Sequence, residues 1–299
     1  MNAGRLSLLV VVPFLDEARH LPTFLDSIAA QERPPDRLLL VDDGSTDGST
    51  ELATRFAAER DYAFVLRRPP RPPERDRLVA AQEFRAFEWG LGQADADWDV
   101  AAKLDADLQL PPDAFAAIEQ ALLADPRLGI AGTYVSQYDD RGTPVRQRCP
   151  AGHVEGPTKF YRRACLEEIQ PLPAIVGWET VDETRAQMRG WRTASVPLRG
   201  GDTIHLRRMG SHDGVLRGYR RMGLAAWGYG SHPLHVLAAA AHRVLDRPAV
   251  LCGAAYLAGY ARAAVAGAPR GEPELRAYVR RAQLRRLRGA AFGTRGRGA

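Results

Sequence analysis

Short apolar runs alternate with amphipathic helical patterns through the first hundred residues of the chain. Continuous apolar runs predict buried strands, because a strand covered on both faces has no polar side. They occupy residues 6–12, 37–41, 62–66 and 100–104. Between the first two runs, apolar residues recur at helical spacing, at Leu21, Phe24, Leu25 and Ile28. Pro13 is predicted to end the first strand. This order predicts an α/β fold, a mostly parallel sheet flanked by helices.

The pattern changes after residue 110. Before this point a helix is predicted at residues 78–90. Beyond it, helices are predicted at residues 113–123 and 180–189, and strands at 129–138 and 191–198. A strand followed by a helix is predicted within 157–169. After about residue 209 the chain is rich in Gly, Ala and aromatic residues and is predicted to be helical. We therefore divide the chain into residues 1–110 and 111–208, two halves of one domain, and a helical, basic C-terminal region, 209–299.

Composition and charge narrow the class of protein. With 299 residues, 45% of them hydrophobic, the chain can bury a large core, which excludes a disordered protein. Cys149, Cys165 and Cys252 are far apart, which argues against a disulfide scaffold and favours a reducing compartment. Residues 269–299 hold nine Arg and two Glu, a charge of +7, so the rest of the chain carries −2 of the net charge of +5.

Several functional classes are excluded by missing signatures. The N-terminal apolar run lacks the flanks of a signal peptide, and residues 222–242, although uncharged, hold three His, a Pro and several Gly, unlike a membrane span. Residues 90–95 lack the third Gly of a dinucleotide fingerprint and precede a strand. The Gly-Lys-Ser/Thr loop of P-loop proteins and the Gly-x-Ser-x-Gly elbow of serine hydrolases are absent.

Two acidic motifs directly follow predicted strands. Residues 41–47 read Val-Asp-Asp-Gly-Ser-Thr-Asp, and residues 104–108 read Leu-Asp-Ala-Asp-Leu. Sites in parallel sheets lie at the carboxyl ends of the strands. Asp43 could accept the N–H of a nucleobase or ribose hydroxyls, whereas Asp105 and Asp107 could hold a hard divalent cation that bridges phosphate oxygens. The alternative is that both motifs are ordinary turns and helix caps.

Two further segments carry chemistry. Thr180 and Glu183 have capping-box spacing, so we expect a helix to begin at Thr180, with Glu179 just before it and Asp182 in its first turn. Either carboxylate could act as a general base, or both could simply complement the helix dipole. Residues 205–212 contain His205 and Arg208, which could reach a diphosphate; the alternative is a solvated basic loop.

The order of these motifs resembles family 2 of the inverting glycosyltransferases, which has the GT-A fold. The resemblance rests on residues 11–17, 41–47, 104–107, 156–163 and 179–191. It implies that Pro13, Asp16 and Glu17 line a nucleotide pocket, that Asp43 binds the base, and that Asp105 contacts the nucleoside or sugar. It also implies that Asp107 coordinates Mg²⁺ or Mn²⁺ bridging the donor diphosphate, with Asp105 beside it.

The chain departs from the family pattern at the base. The family usually has adjacent Glu and Asp before its acidic helix, but here Thr180 follows Glu179. By position Glu179 matches the family's catalytic Asp, whereas Asp182 has the usual residue type; we favour Glu179. The Gln-x-x-Arg-Trp signature of processive synthases is absent, so a single transfer per encounter is expected.

The resemblance therefore predicts a metal-dependent, inverting transfer of sugar from a nucleoside-diphosphate sugar to an acceptor hydroxyl. The acceptor would be a glycan or a lipid-linked molecule in cell-envelope or exopolysaccharide synthesis. A sugar-nucleotidyltransferase and a catalytically silent nucleotide-sugar-binding protein are the alternatives.

The basic C-terminal helical pattern suggests a location. Residues 276–288 combine Arg with apolar positions, as a helix on an anionic membrane surface does. We expect a cytoplasmic protein, peripheral on the inner face of the plasma membrane. The alternative is an ordinary packed helix with a solvated tail. Nucleic acid is not an expected partner, because the rest of the chain is net acidic and no recognition motif accompanies the Arg.

Overall fold

The structure is a computed structural model that describes residues 4–72, 74, 76–95, 97–139, 141–146, 152–207, 214–246 and 248–291. The chain forms two compact units. The first comprises Met1–Arg77, Gln82–Gln170 and Arg189–Met209, and the second Leu78–Ala81, Pro171–Met188 and Gly210–Ala299. The three-part division from the sequence remains a prediction; residues 171–188, placed there in the middle part, belong to the second unit.

The first unit contains all the strands found among the described residues. They are β1 (Leu8–Phe14), β2 (Arg37–Asp42), β3 (Ala63–Arg67), β4 (Val100–Leu104), β5 (Leu108–Gln109), β6 (Leu128–Thr133), β7 (Val135–Tyr138), β8 (Pro144–Arg146), β9 (Thr158–Arg162), β10 (Arg192–Val196) and β11 (Thr203–His205). Its helices are α1 (Leu21–Ala29), α2 (Ser49–Ala58), α3 (Gln82–Leu91), α4 (Ala114–Ala124) and α5 (Arg163–Ile169).

Seven strands form the main sheet, in the order β10-β6-β9-β4-β1-β2-β3. Among the described strands of the main sheet, β9 alone runs antiparallel to its neighbours, β4 and β6. A smaller sheet has the order β5-β11-β7-β8. The expected mixed, mostly parallel sheet is therefore confirmed. Because β4, β1, β2 and β3 are mutually parallel, their carboxyl ends share one edge.

Both faces of the main sheet are covered, which explains why its strands read as continuous apolar runs. Val10 and Val12 belong to a core cluster that includes Phe24 of α1 and Phe115 of α4. On the opposite face α3 lies so close that a Cβ on Gly90 would stand 2.6 Å from Cγ2 of Val41 and 2.9 Å from Cγ1 of Val11. Gly90, the first glycine of the incomplete dinucleotide motif at residues 90–95, thus allows α3 to pack closely against the sheet.

Three boundaries predicted for β1, for residues 129–138 and for α3 were wrong. The strand β1 continues through Pro13, because the missing N–H of Pro13 faces β4, whose register with β1 ends at Val11. The single strand expected at residues 129–138 is two strands, β6 and β7, in different sheets. The helix expected from residue 78 begins at Gln82, after a turn in which Ala81 has a positive φ of 48°.

The second unit is helical, as the sequence predicted for the region after residue 209. It holds α6 (Trp178–Met188), α7 (Val215–Gly228), α8 (Pro233–His242), α9 (Leu251–Val265) and α10 (Pro273–Ala291). The apolar positions Leu275 and Val279 of α10 are buried against Val181 of α6. Among the described residues, no helix combines the length and the hydropathy that a membrane crossing needs.

Candidate functional site

The acidic motifs lie at the shared carboxyl edge of the main sheet. Asp42 ends β2 and residues 43–47 follow it, residues 105–107 connect β4 to β5, and Asp16 and Glu17 follow β1. The order β4-β1-β2 therefore brings together three segments that are far apart in sequence. Pro13 is the second-last residue of β1 and lies next to this edge.

Two aspartates and a histidine form the centre of this edge. The register of β11 with β5 sets His205 opposite Leu108, next to Asp107. Nε2 of His205 lies 3.1 Å from Oδ1 of Asp107 and 4.0 Å from Oδ2 of Asp105. One ligand atom from each of the three residues falls within 4.8 Å of the others, a spacing that could hold a metal ion. The sequence had assigned His205 to the diphosphate, not to this cluster.

A buried lysine stands behind the cluster. The Nζ of Lys103, in β4, contacts the carboxylates of Asp105 and of Glu83 in α3. Burial alone would raise the pKa of Asp105, but attraction from the Lys103 ammonium and from His205 lowers it. For Glu83, burial and repulsion from Asp105 raise the pKa to about 8 despite Lys103. Lys103 thus fixes the position and charge of Asp105.

Glu17 and Arg207 form the second layer of charge around Asp107. The guanidinium of Arg207 contacts the Glu17 carboxylate, and its Nε lies 3.5 Å from Oδ2 of Asp107. Burial raises the pKa of Glu17 to about 7, against the attraction of Arg207 and with the repulsion of Asp107 added. Burial lowers the pKa of His205, but its hydrogen bond to Asp107 and the charges of both aspartates outweigh this and raise it. The site therefore carries more negative charge than its own cations offset.

Asp42 and Asp16 hold the turn after β2 in place through hydrogen bonds. The Asp42 carboxylate accepts hydrogen bonds from the N–H groups of Gly44 and Ser45 and from Thr50 Oγ1. Burial tends to raise the pKa of Asp42, but these hydrogen bonds prevail and lower it. Asp16, with a positive φ of 52°, accepts the Thr46 N–H at 2.8 Å and so ties the segments after β1 and β2 together. Asp42 and Asp16 therefore support the turn.

Asp43 is surrounded by arginines. Its side chain is 2% exposed and contacts Arg68, Arg71 and Arg77, all from the segment that follows β3. Pro69, Pro70 and Pro72 of this segment are exposed, whereas the side chain of Arg68 is only 12% exposed because it pairs with Asp43. Asp43 and these arginines line a cavity of about 390 Å³.

A sequence model described as Glycosyl transferase family 2 matches residues 9–175, more than half of the chain. The chain belongs to this family. The resemblance drawn from the motifs at the strand ends is thereby confirmed. The matched range holds all the site residues described above except His205 and Arg207.

Relatives and solved structures agree with membership of family 2. The chain is 29% identical over 177 residues to the polyprenol monophosphomannose synthase of Mycolicibacterium smegmatis, covering 54% of this chain and 63% of that protein. It is 34% identical over 134 residues to an undecaprenyl-phosphate 4-deoxy-4-formamido-L-arabinose transferase of Pseudomonas syringae, covering 44% and 36%. The matches thus span between about a third and under two thirds of these relatives' lengths.

Among solved structures, the mannosyltransferase PcManGT of Pyrobaculum calidifontis, in complex with GDP-Man and Mn²⁺, aligns with a TM-score of 0.54 at 21% identity. The alignment covers 98% of this chain and 81% of that one. GalNAc-T7 aligns with a TM-score of 0.56 at 13% identity, covering 89% and 56%. These likenesses confirm the GT-A fold.

The two candidate bases lie in the second unit. The helix α6 begins at Trp178, so the expected start at Thr180 was wrong: Gly177, with φ of 83°, opens the first turn by accepting the Thr180 N–H. Glu179 is therefore in the first turn and half-buried, and Asp182 is fully buried. Their catalytic roles remain predictions.

Sequence reasoning missed the cations of the site. Arg208 was predicted to bind the donor but lies outside the described residues, whereas its neighbour Arg207 joins the acidic cluster. Lys103 had a signal that could have been used. It is one of only two lysines among 41 basic residues, and it interrupts an otherwise apolar strand.

Proposed function

We propose that this chain is a metal-dependent, inverting glycosyltransferase that moves a sugar from a nucleoside-diphosphate sugar to an acceptor hydroxyl. The proposal is supported above all by the cluster of Asp105, Asp107 and His205 at the carboxyl edge of a family 2 domain. Two carboxylates and an imidazole suit a divalent cation, here Mg²⁺ or Mn²⁺. Such an ion, when bound, neutralises charge that develops on a departing diphosphate.

The residues of the chain would share the work of binding. Lys103 keeps Asp105 ionised and in place, so that Asp105 and Asp107 can act together as ligands. Arg207 lies beside Asp107 and can turn toward a phosphate oxygen, because its contact with Glu17 weakens when Glu17 is protonated. Glu179 keeps some solvent access and Asp182 has none, so we favour Glu179 as the base that deprotonates the acceptor.

Ligand-dependent stability tests the donor site directly. Thermal unfolding is recorded with UDP, GDP, dTDP or CMP, each with Mn²⁺, Mg²⁺ or EDTA. We expect one nucleoside diphosphate to raise the melting temperature, because a ligand of the native state stabilises it by mass action. The shift should vanish with EDTA and in Asp107→Asn. If no nucleotide shifts the wild-type protein in any metal, the donor site is refuted.

Transfer assays test the chemistry and separate it from silent binding. With the donor identified, Glu179→Gln should reduce the rate by at least about a hundredfold, as loss of a general base does, and leave the donor-induced thermal shift unchanged. Asp182→Asn is the paired variant. If both variants keep full activity, neither carboxylate is the base; if the wild type binds donor without transfer to any acceptor, the silent alternative holds.

Polyprenyl phosphates and glycans are the acceptors to assay first. Two relatives are named for a polyprenol or an undecaprenyl phosphate, and a third, ExoA of Rhizobium meliloti, is named for succinoglycan biosynthesis. We propose a lipid-linked or glycan acceptor of this kind. Transfer to a polyprenyl phosphate but not to oligosaccharides would assign the lipid class, and the reverse would assign the glycan class.

We also propose that the second unit attaches to an anionic membrane surface. The outward face of α8 is apolar. Leu234 is 57% exposed and Leu237 is 56% exposed, and Ala238 and Ala241, which follow them, are exposed as well. Arg286 of α10 lies close enough to α8 to lower the pKa of His235, after the larger effect of burial. An outward apolar face beside exposed arginines matches a bilayer interface with acidic lipids.

Vesicle flotation tests this attachment. Wild-type protein should float with vesicles containing phosphatidylglycerol, and the double variant Leu234→Gln, Leu237→Gln should float at least about fivefold less. Leu123→Gln, which removes an exposed leucine from the first unit, is the matched control. Equal flotation of the double variant and the control would reject the role of α8.

A further inference from the structure

The arginine cluster around Asp43 holds more positive charge than the aspartate needs. Oδ1 of Asp43 contacts Arg68, and Oδ2 contacts both Arg71 and Arg77. Arg67 also lines the cavity, where Glu74 is the one other acidic residue among the lining residues. Arg67 pairs with Asp42, with 3.4 Å between its Nε and Oδ2 of Asp42. Three guanidinium groups therefore remain for the carboxylates of Asp43 and Glu74. A cavity with this balance offers acceptor oxygens in one place and surplus donors beside them.

The cluster is anchored rather than loosely folded. Nε of Arg71 donates to the buried Gln82 Oε1 at 3.1 Å, and the N–H of Gln82 donates to the carbonyl oxygen of Arg77. Arg71 and Arg77 are therefore both hydrogen-bonded to Gln82, at the start of α3. Pro69, Pro70 and Pro72 further limit its backbone, since proline fixes φ. The guanidinium groups are held in a defined arrangement around Asp43.

The cavity is also placed correctly for a nucleobase. Asp43 follows β2 and Asp105 follows β4, with β1 between these strands. Two strand spacings separate them by about 10 Å along the sheet edge. An extended nucleoside diphosphate can bridge that distance, with its diphosphate at the Asp107 cluster and its base at Asp43.

The four common bases differ in how they match a carboxylate flanked by guanidinium groups. Guanine has two adjacent donors, N1–H and the N2 amine, which match both oxygens of a carboxylate. It also has two adjacent acceptors, O6 and N7, which match an arginine in a bidentate pair. Uracil has one ring N–H between two carbonyls. Adenine and cytosine direct a ring nitrogen acceptor at the carboxylate, which repels it.

We propose that Asp43 and the arginines around it, Arg68, Arg71 and Arg77, form a guanine-recognition element, with Asp43 accepting from N1–H and the N2 amine and Arg77 donating to O6 and N7. Arg77 is the arginine to make this exchange. It shares Oδ2 with Arg71, so Asp43 keeps a cation when Arg77 turns away, and at 39% exposed it is the freest of the three. Arg68, 12% exposed, stays with Oδ1 and orients the carboxylate. The inference rests on the proposed function and specifies its donor as a guanosine-diphosphate sugar.

Calorimetric titration with GDP, IDP, UDP, ADP and CDP in the presence of Mn²⁺ tests the assignment. GDP should bind at least about tenfold tighter than UDP, ADP or CDP, because each bidentate pair discriminates at this level. IDP, which lacks only the N2 amine, should bind more weakly than GDP. Asp43→Asn should abolish the difference between GDP and IDP, because an amide cannot accept with both of its polar atoms.

The arginine is tested by Arg77→Leu, which should lower GDP affinity at least about fivefold and leave UDP affinity within about twofold. Arg37→Leu is the matched control: Arg37 has similar exposure, 37%, but pairs with Asp95 outside the cavity. Because Arg77 is partly exposed, this variant should fold even if Asp43→Asn does not. Thermal unfolding without nucleotide verifies that both are native.

The outcomes distinguish a failure of the guanine assignment from a failure of the proposed function. If UDP, ADP or CDP binds as tightly as GDP in an Asp107-dependent manner, the guanine assignment is overturned and the proposed function stands. If no nucleoside diphosphate binds, the proposed function fails and the guanine assignment fails with it. Equal loss of GDP affinity in Arg77→Leu and Arg37→Leu would show a nonspecific effect of charge and also overturn the assignment.

Discussion

Replacing Glu17 by Gln should make the free energy of unfolding less sensitive to rising pH. Glu17 is 12% exposed on its side chain, and burial raises its pKa from 4.5 to about 7. A carboxyl group whose pKa is raised in the folded state binds its proton more tightly there than in the unfolded state. The native state therefore loses stability as pH rises from about 4.5 through about 7, and the full penalty is present above pH 7. Gln has the same shape and no proton to lose.

The magnitude follows from the two pKa values. Between pH 5 and pH 8.5 the penalty on the wild type grows by about 2.5 kcal/mol, at 1.36 kcal/mol for each unit of the pKa difference traversed. The free energy of unfolding of Glu17→Gln, relative to wild type, should rise by that amount over the same range. The part of the Arg207 contact that depends on the charge of Glu17 is already contained in the pKa of Glu17. The remaining, charge-independent part is the same at both pH values and cancels in this difference.

Urea unfolding followed by far-UV circular dichroism, at pH 5 and 8.5 with EDTA, measures this difference. Glu51→Gln, which removes an exposed carboxylate from the first turn of α2, is the matched control and should show a difference near zero. A Glu17→Gln difference no larger than that of the control would refute the burial argument. It would also show that Arg207 neutralises Glu17 fully.

Three further substitutions test the packing and the charges of the first unit. Lys103→Met should lower the free energy of unfolding by about 1–3 kcal/mol in urea titrations, because two partly buried carboxylates lose their buried cation. An unchanged midpoint would contradict the ion cluster. Gly90→Ala should cost about 1–3 kcal/mol in the same assay through contact with Val41. Gly92→Ala should cost nothing, because its Cβ would lie 3.5 Å from the nearest atoms, an ordinary van der Waals distance. Equal effects of the two alanines would reject the close approach of α3. His205→Ala should weaken Mn²⁺ binding, measured by calorimetry, at least about tenfold; unchanged affinity would remove His205 from the metal site.

The parallel half of the fold could be predicted because its strands are buried on both faces. Continuous apolar runs mark such strands without any tertiary information, as β1, β2 and β4 show. Ends and register were less predictable. Whether β1 stops at Pro13 depends on which neighbour the missing N–H faces, and this is a property of the assembled sheet. The start of α6 likewise depended on the backbone conformation of Gly177 and not on the side chains of a capping box.

The candidate site was predictable in its carboxylates and not in its cations. Aspartates directly after strands must reach the carboxyl edge of a parallel sheet, so Asp43, Asp105 and Asp107 could be placed from sequence alone. Their partners come from remote elements. His205 enters through the pairing of β11 with β5, and Arg68 through a turn after β3. Sequence patterns report local periodicity and contain no signal for such long-range ion pairs.

The charges at the two ends of the sheet edge point to how a nucleotide would lie on it. Around Asp107, four carboxylates, those of Glu17, Glu83, Asp105 and Asp107, face the cations of Lys103 and Arg207, a balance of −2 when all are ionised. Glu17 and Glu83 respond by holding protons near neutral pH, as their raised pKa values show. A diphosphate that approaches this region adds negative charge beside carboxylates that already hold protons for lack of cations, so an accompanying divalent cation, Mg²⁺ or Mn²⁺, favours its binding. Around Asp43 the balance is reversed, so that end has no need of a metal and suits an uncharged group rich in acceptors. Because the requirements differ, the edge has a direction, with the phosphates at β4 and the base at β2.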